Sequence, residues 1–197
     1  RCAIALMGEA AQADGYYGGG TPEAASGEAL TLADGREAWV FHISPDDTGA
    51  SAVWCAQRVP DGHVAAVANA YVIRELDCAD AERFACASNL VAVAERARLA
   101  SYGPERGGLD WSATFSDAAD KPLSDALYST QRVWRALTLV APSLLRGERP
   151  LPEVPRAPLA DEYPFSVAPD APVDAAALMA ATRDVYRGVE GLDLTAG

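Results

Sequence analysis

Residues 28–72 read EALTLADGREAWVFHISPDDTGASAVWCAQRVPDGHVAAVANAYV, and this stretch decides the fold class. Four strand-like segments follow one another: Glu28–Ala33, Glu37–Ser44, Ser51–Val59 and His63–Val72. Asp34-Gly35, Pro45-Asp46-Asp47-Thr48-Gly49 and Pro60-Asp61-Gly62 separate them. Each separator has turn chemistry: Pro presets φ, Asp caps its own backbone, and Gly accepts positive φ. Trp39, Phe41 and Ile43 share one face of their strand, while Val53 and Cys55 alternate with Trp54 and Ala56 on the next. The fourth segment is small or apolar at nearly every position, which predicts burial between layers. The stretch predicts an antiparallel meander covered by further layers.

Helical patterns flank it. Residues 1–14 have helical spacing and a stop at Asp14-Gly15. Further helices are expected over 80–101, over Ala126–Leu139 with a stop near Ala141-Pro142, and over 173–187 with Asp174 as the cap. Residues 15–27 read as loop, and residues 102–124 are broken by Gly, Pro and Asp. Residues 146–172 are Pro-rich and predict an extended segment within the same domain, anchored by alternating Tyr163, Phe165 and Val167. The fold class is therefore α+β.

Composition excludes several functions. The 197 residues carry a net charge of −12, with 16 Lys and Arg against 28 Asp and Glu, which argues against nucleic acid or anionic lipid as partner. Half the residues are hydrophobic, enough for a core, but no run spans a bilayer. A soluble, intracellular protein is expected. Cys2, Cys55, Cys78 and Cys86 show no CxxC pair and no zinc spacing, and the expectation is free, mostly buried thiols.

Candidate site residues are few. His42 and His63 lack metal-site spacing; Asp46-Asp47 reads as a solvated hairpin tip. Gly18-Gly19-Gly20 lacks the Lys-Ser/Thr of a phosphate loop. Asn69 lies within an apolar run, where its amide must be satisfied locally or must donate to a developing oxyanion. Arg132 and Arg135 flank Trp134 on a predicted helix, and Arg58 and Arg74 bracket the fourth segment. These arginines either pair with carboxylates or bind an anionic substrate group.

Several strings together resemble the C69 dipeptidase family, cysteine peptidases of the N-terminal-nucleophile hydrolase superfamily related to secernins. They are CAIALMG (2–8), GYYG (15–18), GEALTLA (27–33), EAWVFHI (37–43), DDTGASA (46–52), AQRVPDGH (56–63) and VANAYVIRE (67–75). YSTQRVWR (128–135), APS (141–143), YPFSVAPD (163–170) and RDVYRGVEGLDLT (183–195) follow in family order. The resemblance implies an αββα sandwich of two antiparallel sheets between helical layers. It implies hydrolysis of dipeptides by a cysteine at a processed N-terminus, whose own α-amino group is the base, with no metal and no cofactor. The family nucleophile lies upstream of the matched region, so the chain reads as an internal portion and Cys2 as an ordinary helix residue. Asn69 matches an oxyanion-hole or substrate-orienting position. Arg132 matches an arginine near the nucleophile. Arg58, Arg74 and Arg135 are the substrate-binding candidates. The expected partners are a dipeptide and the remaining segments of the protein or another subunit. Open sheet edges would also invite an oligomer. A non-catalytic subunit and a related acylase are the alternative readings.

Overall fold

The computed structural model describes residues 1–16, 27–104, 107–116, 123–146, 163–189 and 191–195, and for 123–127 the backbone alone. The expectations on Gly18-Gly19-Gly20 and on residues 147–162 lie outside the described residues. The fold is α+β, with antiparallel sheets and five helices among the described residues. The chain divides into two compact units, Arg1–Val59 with Tyr71–Ser116, and Pro60–Ala70 with Asp117–Gly197.

The first unit is built on a sheet of β1 (Glu28–Ala33), β2 (Ala38–Pro45), β3 (Ala52–Val59) and β5 (Phe84–Cys86), in the order β1-β2-β3-β5. The expected turn chemistry holds. The Asp34 carboxylate accepts from the N–H groups of Arg36 and Glu37 at 2.7 and 3.0 Å. The Asp46 carboxylate accepts from the N–H groups of Thr48 and Ser51, and Gly49 has φ of 70°.

Strands β2 and β3 are buried on both faces. Helix α1 (Cys2–Asp14) covers the face of Phe41 and Trp54, whose rings stack at 5.6 Å. Trp54 Nε1 donates to Gln12 Oε1 at 3.1 Å. The opposite face carries Val40, His42, Val53 and Cys55, all buried. There the segment Tyr71–Ile73 and α3 (Trp111–Phe115) pack against the sheet: Tyr71 OH donates to the Ile43 carbonyl at 2.7 Å, and Trp111 meets Tyr71 edge-on at 5.6 Å.

The fourth expected strand is not a strand. After the turn at Gly62, with φ of 75°, only Val64–Ala65 (β4) is extended, and it pairs with Ser166–Val167 (β6) in the second unit. Residues 66–72 are irregular, and Asn69 is exposed with φ of 51°. Alanines pack weakly on a pleated surface, and Ala66, Ala68 and Ala70 leave this run without the bulk that fixes a strand. The place beside β3 goes to β5. The helix expected over 80–101 is corrected accordingly. Asp80 caps a turn, accepting from the N–H groups of Glu82 and Arg83, and Phe84 and Ala85 enter the sheet. Only Leu90–Arg96 (α2) is α-helical there.

The cysteine expectation is corrected too. Cys78 and Cys86 form a disulfide, and Cys2 and Cys55 are free. Among the described residues no helix is long and apolar enough to cross a membrane.

The second unit holds the β4–β6 pair, α4 (Leu123–Val140), a 3₁₀ turn at Pro142–Leu145, and α5 (Ala175–Thr182). Trp134, Tyr163 and Val189 form its buried cluster, with Leu144, Leu145, Tyr186 and Leu192 against it. Asp174 caps α5 as expected, accepting from Ala177 N–H at 2.8 Å. This helix ends at Thr182, short of the expected 187.

Helix α1 rests on β3 through Gly8. A Cβ there would lie 2.1 Å from Trp54 Cε2. Helix propensity alone favours Ala over Gly by about 1 kcal/mol. Gly8→Ala is nevertheless expected to destabilise the protein, by about 1–3 kcal/mol, because the Trp54 ring must move. Urea unfolding of the two proteins checks the sign.

Candidate functional site

Helix α4 carries a run that apolar periodicity does not explain. Ser129, Thr130 and Gln131 are all buried, ahead of the buried Val133, Trp134 and Leu137. Buried polar groups must be satisfied, so three in succession mark a place where something polar is organised. The Ser129 hydroxyl donates to the Asn69 carbonyl at 3.1 Å. Asn69 is one of the few residue types that tolerate a left-handed φ, so the chain can turn there and bring that carbonyl to the helix.

Arg132 lies three residues beyond Ser129, on the neighbouring position of the same helix surface. Its side chain folds back along α4. Nε donates to the Tyr128 carbonyl at 3.1 Å, and the guanidinium lies 4.1 Å from the Tyr128 ring centroid. Its Nη2 is buried and has no hydrogen-bond partner among the described residues. A guanidinium N–H held dry without an acceptor is a costly arrangement, and an anion or carbonyl oxygen would relieve it. In the second unit Ser129 therefore holds the backbone of Asn69 against α4, one turn ahead of Arg132.

The other arginines are engaged elsewhere. Arg135 makes a two-point ion pair with Asp184, at 2.7 and 2.8 Å, and holds that carboxyl below its usual range. It ties α4 to the segment after α5. Arg58 faces Glu37 at 3.6 Å, and Arg74 Nε donates to Asp110 at 2.9 Å, both within the first unit. Asp47 pairs with Arg96 at 2.7 Å. His63, exposed at its turn, has Nδ1 3.1 Å from Ser166 Oγ.

The two free thiols differ in exposure. Cys55 is fully buried, and burial pushes its thiol up, away from thiolate. Cys2 is exposed in α1.

The sequence matches the family model described as Peptidase family C69 over residues 1–194. The chain belongs to peptidase family C69. No curated protein matches it. Membership places the chain among peptidases, which are hydrolases. The C69 strings account for most of the residues above: Asn69 lies in VANAYVIRE, and Ser129–Arg132 in YSTQRVWR. Asn69 and Arg132 were singled out from sequence. Ser129, Thr130 and Gln131 were missed, and the available signal was three adjacent polar side chains at the buried end of an otherwise apolar helical repeat.

His42 is a buried hydrogen-bond acceptor for backbone. It is 0% exposed, its Nε2 accepts from Val72 and Ile73 N–H at 3.0 and 3.3 Å, and burial lowers its pKa to about 3. In the unfolded chain the imidazole titrates near 6.5. Between these values only the unfolded chain takes up the proton. The contribution is full above about pH 6.5 and shrinks as pH falls, by about 1.4 kcal/mol per pH unit at most. Unfolding free energies of the wild-type protein and His42→Gln, measured from pH 7 to pH 4, are expected to converge by this slope. A constant difference would place the His42 charge change elsewhere.

Proposed function

We propose that this chain supplies the oxyanion-binding and thiol-facing groups of a dipeptidase with an αββα, N-terminal-nucleophile architecture. The nucleophile in this reading is a cysteine outside these 197 residues, at a processed N-terminus. The observation that carries it is the buried Nη2 of Arg132, without a hydrogen-bond partner among the described residues, on the stretch of α4 where Ser129 holds Asn69. C69 membership supplies the reaction class.

The chemistry follows from those groups. The α-amino group of the nucleophilic cysteine takes the thiol proton, since its ordinary pKa of about 8 lies near working pH. The sulfur attacks the dipeptide carbonyl, whose oxygen becomes an oxyanion. The Asn69 amide donates to that oxyanion. Arg132 faces the sulfur and favours its thiolate form. The protonated amine then delivers its proton to the leaving amino acid, and water hydrolyses the thioester. Arg135, Arg58 and Arg74 keep their carboxylate partners and position the backbone rather than the substrate.

The test uses the full-length protein and dipeptide substrates. Asn69→Gly keeps the left-handed φ available and removes only the amide, so a loss of activity reports the side chain. It is expected to lower kcat about 10²–10³-fold with little change in KM. Arg132→Gln is expected to shift the acid limb of the pH–rate profile upward. Wild-type kcat in Asn69→Gly overturns the oxyanion role. Cleavage of acyl-amides but not dipeptides would replace the substrate class, and no cleavage of either would favour a non-catalytic subunit.

A further inference from the structure

The last free thiol to account for is Cys55, and it stands beside the disulfide. In the β3–β5 pairing Cys55 is directly opposite Cys86. The main-chain bonds fix the kind of pair. Arg58 N–H donates to Arg83 O at 2.8 Å, and Ala87 N–H to Trp54 O at 2.9 Å. The hydrogen-bonded pairs are therefore 58/83, 56/85 and 54/87. Cys55 and Cys86 fall between them, in a non-hydrogen-bonded pair. Such residues have Cα atoms about 4.5 Å apart and side chains on one face, closer than in the alternating pairs. A third cysteine thus lies against a sulfur already bonded to Cys78.

Exposure is graded across the three. Cys78 is exposed on the Asp77–Arg83 turn, Cys86 is half-buried, and Cys55 is fully buried in β3. Strand β5 has three residues and forms the sheet edge. A short edge strand is the part of a sheet that opens at least cost.

We propose that Cys55, Cys86 and Cys78 form a thiol–disulfide exchange site, in which Cys86 passes its bond between Cys78 and Cys55. The Cys55 thiol loses its proton to water when the β5 edge opens. Its sulfur forms a bond to Cys86 Sγ as the Cys78–Cys86 bond breaks. The electron pair leaves on Cys78 Sγ, which takes up a proton. One thiol and one disulfide stand on each side, so no oxidant or reductant is consumed. Burial pushes the Cys55 thiol up, and so keeps the exchange silent while the edge is closed. The result is a direct staple from β3 to β5 and an exposed Cys78 thiol. That thiol is open to a mixed disulfide with a low-molecular-weight thiol or a partner cysteine.

Disulfide mapping of the full-length protein tests this. Trypsin places the three cysteines in separate peptides, 37–58, 75–83 and 84–96. The Cys78→Ser protein is treated with oxidised glutathione, quenched by alkylation and digested without reduction. The expected result is a 37–58/84–96 cross-link, with loss of the alkylated Cys55 and Cys86 peptides. A folded Cys78→Ser protein in which both cysteines remain alkylatable overturns the proposal. If that variant does not fold, the wild-type protein is held with a trace of reduced glutathione and quenched in time. Appearance of the 55–86 link with alkylated Cys78 supports exchange. Persistence of the 78–86 link alone overturns it.

Discussion

The imidazole of His42 accepts the N–H groups of Val72 and Ile73, and much of the first unit hangs on those two bonds. Strand β2 is buried on both faces, so whatever covers its His42 side must bring backbone into a dry space. The Tyr71–Ile73 segment belongs to no strand. Its N–H groups need acceptors, and leaving one unpaired costs about 1–3 kcal/mol. A neutral ring nitrogen provides the acceptor. The rest is strung from the same segment. Tyr71 OH closes on Ile43, Ser112 N–H donates to the Ile73 carbonyl, and Trp111 N–H donates to the Arg74 carbonyl. The start of α3 is thereby fixed, and Trp111 fills the space beside His42 and Tyr71.

This arrangement explains which features the sequence disclosed. Strands β1 to β3 were legible because Asp34, Asp46 and the glycines after them make turns by short-range bonds. The identity of β3's outer neighbour was not. Residues 63–72 and 84–86 both offer apolar alternation, and local pattern cannot say which run pairs with β3. Long-range partners decided it: Val167 for Val64, His42 for Val72 and Ile73, Cys55 and Gln57 for Cys86 and Phe84. The Cys78–Cys86 bond was equally hidden, since a spacing of eight has no meaning until the intervening turn is known.

The candidate site was half legible. Asn69 stood out as an amide in an apolar run, yet it sits at an exposed left-handed bend, held through its carbonyl rather than buried in a strand. Arg132 and Arg135 looked alike in sequence and differ in place. Arg135 pairs with Asp184, whereas the buried Nη2 of Arg132 has no partner among the described residues. That contrast comes from where α4 faces, which residue types alone do not give. The thiols differ in the same way: burial raises the Cys55 thiol above its usual range, and Cys2 is exposed.

The central proposal is that the nucleophile of this C69 peptidase is a cysteine other than Cys2 and Cys55. The most direct measurement is mass-spectrometric location of the adduct left on the active full-length protein by a dipeptide-based, thiol-reactive inhibitor. The account predicts modification of a cysteine outside these 197 residues, with Cys2 and Cys55 unmodified when activity is lost. An adduct on Cys2 or Cys55 that tracks inactivation would contradict it.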